Sequence, residues 1–313
     1  MEHVIRIGTR SSKLALWQSH LIAMTLESKY PDMRIDFVYV KTKGDKILDS
    51  PLSKIGGKGL FTKELEVQML EGKIDLAVHS LKDVPVQLSD EFTIAAITKR
   101  TDPFDAFVSN KYKSLHDLPQ GAKIGTSSLR RHAQLLAIRP DLQIENLRGN
   151  VNTRLQKLDA GDFDALILAT AGLKRLGYQS KIVEILSPEV MLPAVGQGAL
   201  AIETLKNNFK ICEMLKFIDD KNTRAVTNTE RAFLRVVEGG CQVPVGVYAQ
   251  IEGNKITADA VIASLDGKKT IRDKISGPID EAEYIGEDLA NKLLYTGGKE
   301  ILQSIMTSGD GLT

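Results

Sequence analysis

The sequence predicts a mixed α/β protein: two similar α/β domains followed by a small α+β domain. Three observations carry this. Short buried-strand patterns alternate with helical patterns through the first two thirds of the chain. Two stretches of that region echo one another. The last third switches to three strand patterns joined by turn signals, closed by helices. At 313 residues there is room for two or three domains, and 42% apolar with 26% charged residues is the balance of a globular enzyme.

In order, Val4–Ile7 reads as a buried strand, Gly8-Thr9-Arg10-Ser11-Ser12 as a loop, and about Lys13–Ser28 as a helix. Leu14, Trp17, Leu21 and Met24 recur at helical spacing and are expected to form its apolar face. Ser11 or Ser12 is the expected N-cap, and the open amides beside Arg10 suit an anion. Arg34–Val40 alternates as a second strand. Lys41–Leu60, with four glycines and several lysines, reads as a mobile basic loop. A helix Thr62–Glu71 ends at Gly72, and Ile74–Val78 is a strand with His79-Ser80-Leu81-Lys82-Asp83-Val84-Pro85 at its C-terminal end, where open α/β sheets place ligands.

The pattern then returns. Ile124-Gly125-Thr126-Ser127-Ser128 and the helix Leu129–Ile138 repeat the form of Ile7–Ser12 and its helix. Leu158–Leu166 resembles Leu70–Val78, in each case a helix ending at glycine before a buried strand. The repetition implies two domains that aim helix N-termini and strand ends at a shared cleft. Leu192–Ile202 reads as a glycine-hinged strand crossing back to the first domain, and Cys212 falls at a core position of a helical pattern. A helix follows over Asn222–Val237. Val245–Ile251, Lys255–Ser264 and Lys268–Ile275 are strands with turns at Glu252-Gly253-Asn254 and Asp266-Gly267, and helices Glu281–Leu294 and Lys299–Met306 close the chain.

Charge and cysteine usage exclude several classes. A net charge of +1 argues against nucleic acid, and the longest apolar runs are strand-sized, too short for a membrane span. The five histidines are scattered and no Cys/His spacing fits zinc, so no metal is expected. Two cysteines in unlike contexts favour a reduced setting, and Met1–Arg6 shows no basic region followed by an apolar one, so a cytoplasmic protein is expected. Arginines gather in Gly/Ser/Thr/Asn loops at strand ends: Arg10, Arg130, Arg131, Arg148 and Arg154. A guanidinium fork binds carboxylate or phosphate, so these loops point to an anionic ligand. Cys241 stands in Glu238-Gly239-Gly240-Cys241-Gln242-Val243-Pro244-Val245-Gly246, a turn that neither helix nor strand can enter. Taken alone, this thiol reads as a buried structural cysteine or a nucleophile, though no adjacent His or Cys-x-x-Cys activates it.

Several stretches together carry a resemblance. They are Gly8–Ser12, Leu14–Gln18, Lys54-Ile55-Gly56-Gly57-Lys58-Gly59-Leu60-Phe61, Val78–Pro85, Gly125–Arg131, Leu147-Arg148-Gly149-Asn150-Val151, Leu192–Gly198 and the Cys241 turn. In this order, over essentially the whole chain, they resemble the hydroxymethylbilane synthase (porphobilinogen deaminase) family. The resemblance implies two periplasmic-binding-protein-like (type II) α/β domains around a cleft and a C-terminal α+β domain with a three-stranded antiparallel sheet. The implied boundaries are 1–98 plus about 200–217, 99–199, and 218–313. It also implies a monomeric transferase of tetrapyrrole biosynthesis, working on porphobilinogen with no nucleic-acid or membrane partner. Such an enzyme joins four porphobilinogen molecules head to tail, releases ammonia, and hydrolyses off hydroxymethylbilane.

By the same resemblance Cys241 holds a dipyrromethane cofactor through a thioether, and Asp83 is the catalytic carboxylate. Ser80, Lys82, Asp83, Thr126, Ser128, Arg130, Arg131, Arg148 and Gly149 are implied to bind the cofactor, and Arg10, Ser12, Gln18, Arg148 and Arg154 the substrate. Lys54, Lys58 and Phe61 match the lid and its base. Arg175 and Gln197 are placed as supporting residues, and His79 as a packed strand-end histidine. Lys13 stands where many members have proline, and Asn152 where many have glycine. The residues fit this independently: each porphobilinogen brings an acetate and a propionate, which call for clustered cations and amides, and an anion beside a pyrrole N–H stabilises positive charge as ammonia leaves. The duplication also suits a non-enzymatic two-domain anion-binding protein, which the third domain and the absence of an export pattern count against. A cysteine hydrolase lacks its histidine.

Overall fold

The structure, a computed structural model, describes residues 3–46, 59–237 and 243–308. Its strands are β1 His3–Thr9, β2 Met33–Tyr39, β3 Leu76–Ser80, β4 Phe92–Ile97, β5 Asp105–Val108, β6 Lys123–Gly125, β7 Gln143–Glu145, β8 Ala165–Ala169, β9 Glu184–Ile185, β10 Leu200–Leu205, β11 Val245–Glu252, β12 Lys255–Ala263 and β13 Thr270–Pro278. The described residues up to Thr101, together with Ala199–Arg224, form one compact unit; Asp102–Gly198 and the described residues from Ala225 onward form a second.

The first unit holds a sheet of order β2-β1-β3-β10-β4, with β1 parallel to β2 and β3, and β10 antiparallel to β3 and β4. The second holds β7-β6-β8-β5-β9, with β6 parallel to β7 and β8, and β5 antiparallel to β8 and β9. Strand for strand the orders correspond, with β5 in the place of β10. The expected pair of type II α/β sheets is therefore present, although the crossing strand enters from opposite ends of the repeated segment.

The helix Lys13–Lys29 forms where expected, but it buries a different face. Ala15, Gln18, Ser19, Ile22, Ala23 and Leu26 are buried, whereas Trp17 is 38% and Met24 68% exposed. Small residues on the inner face let the helix lie close to the sheet, and Ile22 and Leu26 then fill the core with Ile5, Ile7 and Val78. β3 starts two residues later than expected, which puts His79 and Ser80 inside the strand. Within the stretch expected as loop, Lys43–Lys46 is a helical turn, tied by Lys43 N–H to Glu64 Oε1 at 2.9 Å and by Gly44 N–H to Leu60 O at 3.0 Å. Cys212 is half-buried rather than a core residue: in Phe209–Leu215 the core positions belong to Ile211 and Leu215, and burial pushes the thiol up.

In the second unit β11-β12-β13 is an antiparallel sheet, its first hairpin turning on Gly253 and Asn254. One face is covered by Lys221–Val236, Ala282–Leu293 and Lys299–Ser308, around Phe233, Val247, Ile256, Ile262 and Leu289. This sheet joins the α/β part closely. Val247 N–H bonds Pro193 O at 3.1 Å, and a Cβ on Gly246 would stand 2.8 Å from Leu192 O, so glycine is required by the approach. Among the described residues no helix is long and apolar enough to cross a membrane, and no His/Cys/Asp/Glu group is placed to hold a metal.

Candidate active site

In the first unit β1 ends at Thr9, and Ser12 caps the next helix by accepting from Ala15 N–H at 3.3 Å. The Arg10 guanidinium lies over the Phe61 ring, 4.2 Å from its centroid. β3 delivers Ser80, whose Oγ accepts from Gln18 Nε2 at 2.8 Å. The tight turn Leu81–Asp83 follows. Leu81 is buried and its N–H bonds Ala199 O at 3.0 Å, which anchors the turn. Lys82 is left half-buried and Asp83 exposed. Among the described residues the Asp83 carboxylate makes no hydrogen bond or ion pair. Behind the turn, His79 Nε2 lies 2.9 Å from Glu203 Oε2, both buried, so His79 is the packed histidine expected.

In the second unit the matching βα turn has the same capping chemistry. Thr126, itself buried, accepts from Ser128 N–H at 3.3 Å, and Ser128 Oγ accepts from Arg131 N–H at 3.4 Å. The arginine forks, however, face inward. Arg130 Nη1 donates to Asp105 Oδ2 at 2.7 Å and Leu192 O at 2.8 Å; Arg131 donates from Nη2 to Asp105 Oδ1 at 2.7 Å and from Nη1 to Ile167 O at 2.8 Å. Gln197 Nε2 adds a bond to Asp105 Oδ1 at 2.9 Å. Burial alone would raise the Asp105 pKa; the Arg130 and Arg131 charges outweigh it and hold the carboxyl far below the usual range. Among the described residues the Nε–H groups of both arginines are buried and without an acceptor.

Beyond β7, Asn150 caps Val151–Asp159 by accepting from Thr153 N–H at 3.0 Å, and Arg154 Nε donates to Gly149 O at 2.8 Å. Gly149 has φ of 110°, and a Cβ there would stand 2.9 Å from Thr153 Cβ, so only glycine turns the chain this way. Arg148 is half-buried, and desolvation lowers its pKa. Arg175, bonded to Gly198 O at 2.7 Å, is brought by burial down to about 10. Buried cations and acceptorless N–H donors gathered in one unit, beside two capped helix starts, fit a ligand of several carboxylates. Lys54, Lys58 and Cys241 lie outside the described residues. Sequence reasoning missed Asp105 and Glu203: each is a lone acid in a strand, and its partners are distant in the chain.

The family model described as "Porphobilinogen deaminase, dipyromethane cofactor binding domain" matches residues 5–213, and "Porphobilinogen deaminase, C-terminal domain" matches 225–295. The porphobilinogen deaminase of Ruthia magnifica subsp. Calyptogena magnifica is 49% identical over 304 residues, covering 97% of this chain and 100% of that one. Among solved structures, the methionine-binding protein MetQ is similar at TM-score 0.44 and 16% identity over 68% of this chain and 87% of its own. The periplasmic aliphatic sulphonate binding protein SsuA of Escherichia coli has TM-score 0.41 and 14% identity over 76% of this chain and 71% of its own. The sequence matches define a transferase of tetrapyrrole biosynthesis that works with a dipyrromethane cofactor. The chain belongs to the porphobilinogen deaminase (hydroxymethylbilane synthase) family.

Proposed function

We propose that Asp83 is the catalytic carboxylate of the condensation of porphobilinogen, and that the two units divide the remaining work. The observation that carries this is the turn after β3: Leu81 is pinned inward while Asp83 stands exposed and uncommitted beside Lys82. A carboxylate held there accepts the pyrrole N–H of the bound ring and stabilises the positive charge that develops as ammonia leaves. It also takes the proton released when the new carbon–carbon bond forms. Ser80 and Lys82 hold cofactor carboxylates beside it. Arg10, Ser12 and Gln18 serve the incoming substrate, with Phe61 at the base of a lid that includes Lys54 and Lys58.

In the second unit Thr126, Ser128, Arg130, Arg131, Arg148 and Gly149 hold the cofactor, and Arg148 and Arg154 hold substrate carboxylates. The orphaned Nε–H groups of Arg130 and Arg131 support this, as does the desolvated Arg175, whose charge gains from an anionic neighbour. Bound through Cys241, the dipyrromethane supplies the pyrrole terminus to which rings are added. Residues 218–313 constitute a separate α+β domain in this reading, supported by a core to which, among its buried residues, only Val195 comes from outside them. The protein works as a cytoplasmic monomer.

Asp83→Asn tests the assignment. Intact mass should still show one dipyrromethane on Cys241, while turnover falls by a factor on the order of 10²–10³. Turnover close to that of the unaltered protein would remove Asp83 from its role.

A further inference from the structure

Glu203 is fully buried, and one of its oxygens, Oε1, has no hydrogen-bond partner among the described residues. A carboxylate in such a place is costly unless it is paired, and Glu203 is paired with His79 at 2.9 Å. β10 shifts register against β4 between Ile202 and Glu203. On the other side β10 pairs with β3, Glu203 opposite Ala77 and Ala201 opposite His79. Alternation along β3 puts Ala77 and His79 on one face, where Ala77 packs with Leu65 and Met69 of the helix Lys63–Leu70. From that helix Glu66 faces the same pair: burial raises its pKa, while Glu203 and His79 act on it in opposite directions.

We propose that His79 and Glu203 are positioning residues for the reaction: their hydrogen bond locks β3 against β10 and so sets where the Ser80–Asp83 turn presents Asp83. The register they fix governs the anchors of that turn on the β10 side. Ser80 pairs with Leu200, and Leu81 N–H bonds Ala199 O at 3.0 Å; a slip between the strands removes both. Two apolar side chains would fill the same space without specifying direction. Neither residue touches substrate, and the inference rests on the reading of Asp83 as catalytic.

The experiment compares holoenzymes of His79→Leu, Glu203→Leu, Glu203→Gln and the double variant His79→Leu/Glu203→Leu. Intact mass, melting temperature, kcat and KM for porphobilinogen are measured on each. Glu203→Gln keeps an oxygen that accepts from His79 and should retain kcat within about threefold. Each single Leu variant should lose kcat by about tenfold or more, the scale of a small misplacement of a catalytic group, with KM and cofactor mass unchanged. The double variant should recover melting temperature, because the buried pair is replaced as a unit, and still lack kcat. If kcat returns together with melting temperature, or if the single variants keep kcat, the pair is merely structural and the proposal fails. Where a single variant does not fold, the double variant decides. Asp83→Asn is run in parallel: undiminished turnover there would sink the catalytic assignment, whatever the His79 series shows.

Discussion

The two α/β sheets have corresponding strand orders but different partners for their buried acids. Each crossing strand carries a carboxylate fully removed from water: Glu203 in β10 and Asp105 in β5. Glu203 meets one imidazole, at 2.9 Å, and lies under the turn that sets Asp83 out toward solvent. Asp105 meets two guanidiniums and an amide, and draws inward the arginines that close the equivalent helix start. On the proposed reading, the first unit's buried acid holds the strand that presents Asp83. The second uses its buried acid to fix two permanent cations, presenting their Nε edges and the helix amides. A common scaffold thus carries two different surroundings for a buried acid, which the proposed function assigns to chemistry in one unit and to holding carboxylates in the other. The difference lies in what faces the crossing strand: one imidazole in the first unit, two guanidinium forks in the second.

The sharpest way to break this comparison is Asp105→Ala. It leaves two buried guanidiniums without their counter-ion and should cost about 3–5 kcal/mol, read by denaturant unfolding. A loss below about 1 kcal/mol would mean that the arginines do not depend on it. The sign of the pH dependence follows. Asp105 has a folded pKa below its unfolded value, so its contribution is in place above about pH 4 and is lost as pH falls through the folded value. Stability of the unaltered protein should drop in acid, and Asp105→Asn should flatten that slope.

A smaller effect is expected at Gly149. Alanine there must adopt φ of 110° and push Thr153 aside, at about 1–3 kcal/mol, with reduced cofactor incorporation by intact mass. In the first unit the exit from β2 reaches a glycine only at Gly44, whose φ is not positive, so alanine at Thr42 should not reproduce the loss of cofactor. The smallest effect belongs to Phe61→Ala. Removing the ring under Arg10 gives up about 0.5–1 kcal/mol, or roughly a two- to fivefold rise in KM for porphobilinogen. A rise with unchanged kcat would place Arg10 in binding alone.

Much of the fold was legible because it is local. Ser12 and Ser128 cap helices that their own sequence predicts, and Gly72 ends a helix where the periodicity stops. The three C-terminal strands follow from alternation and turn residues. The helix Lys13–Lys29 shows the limit. Its largest apolar residues, Trp17, Leu21 and Met24, suggested an inner face, and the sheet instead took the face with Ala15, Ser19 and Ala23. Close packing rewards fit over the size of any one side chain, and fit depends on the surface opposite.

The sequence by itself determined the order of elements, the capped helix starts, the turn carrying Lys82 and Asp83, and the family. The caps and turns depend on residues within a few positions of one another, and the family on the order of such short stretches along the chain. Tertiary structure alone decided that Arg130 and Arg131 turn to Asp105, 25 and 26 residues away, and that His79 meets Glu203 across 124 residues. Such pairings have no local signature: a buried charge is tolerated only where a distant partner arrives to meet it, and the folded sheet is what brings that partner.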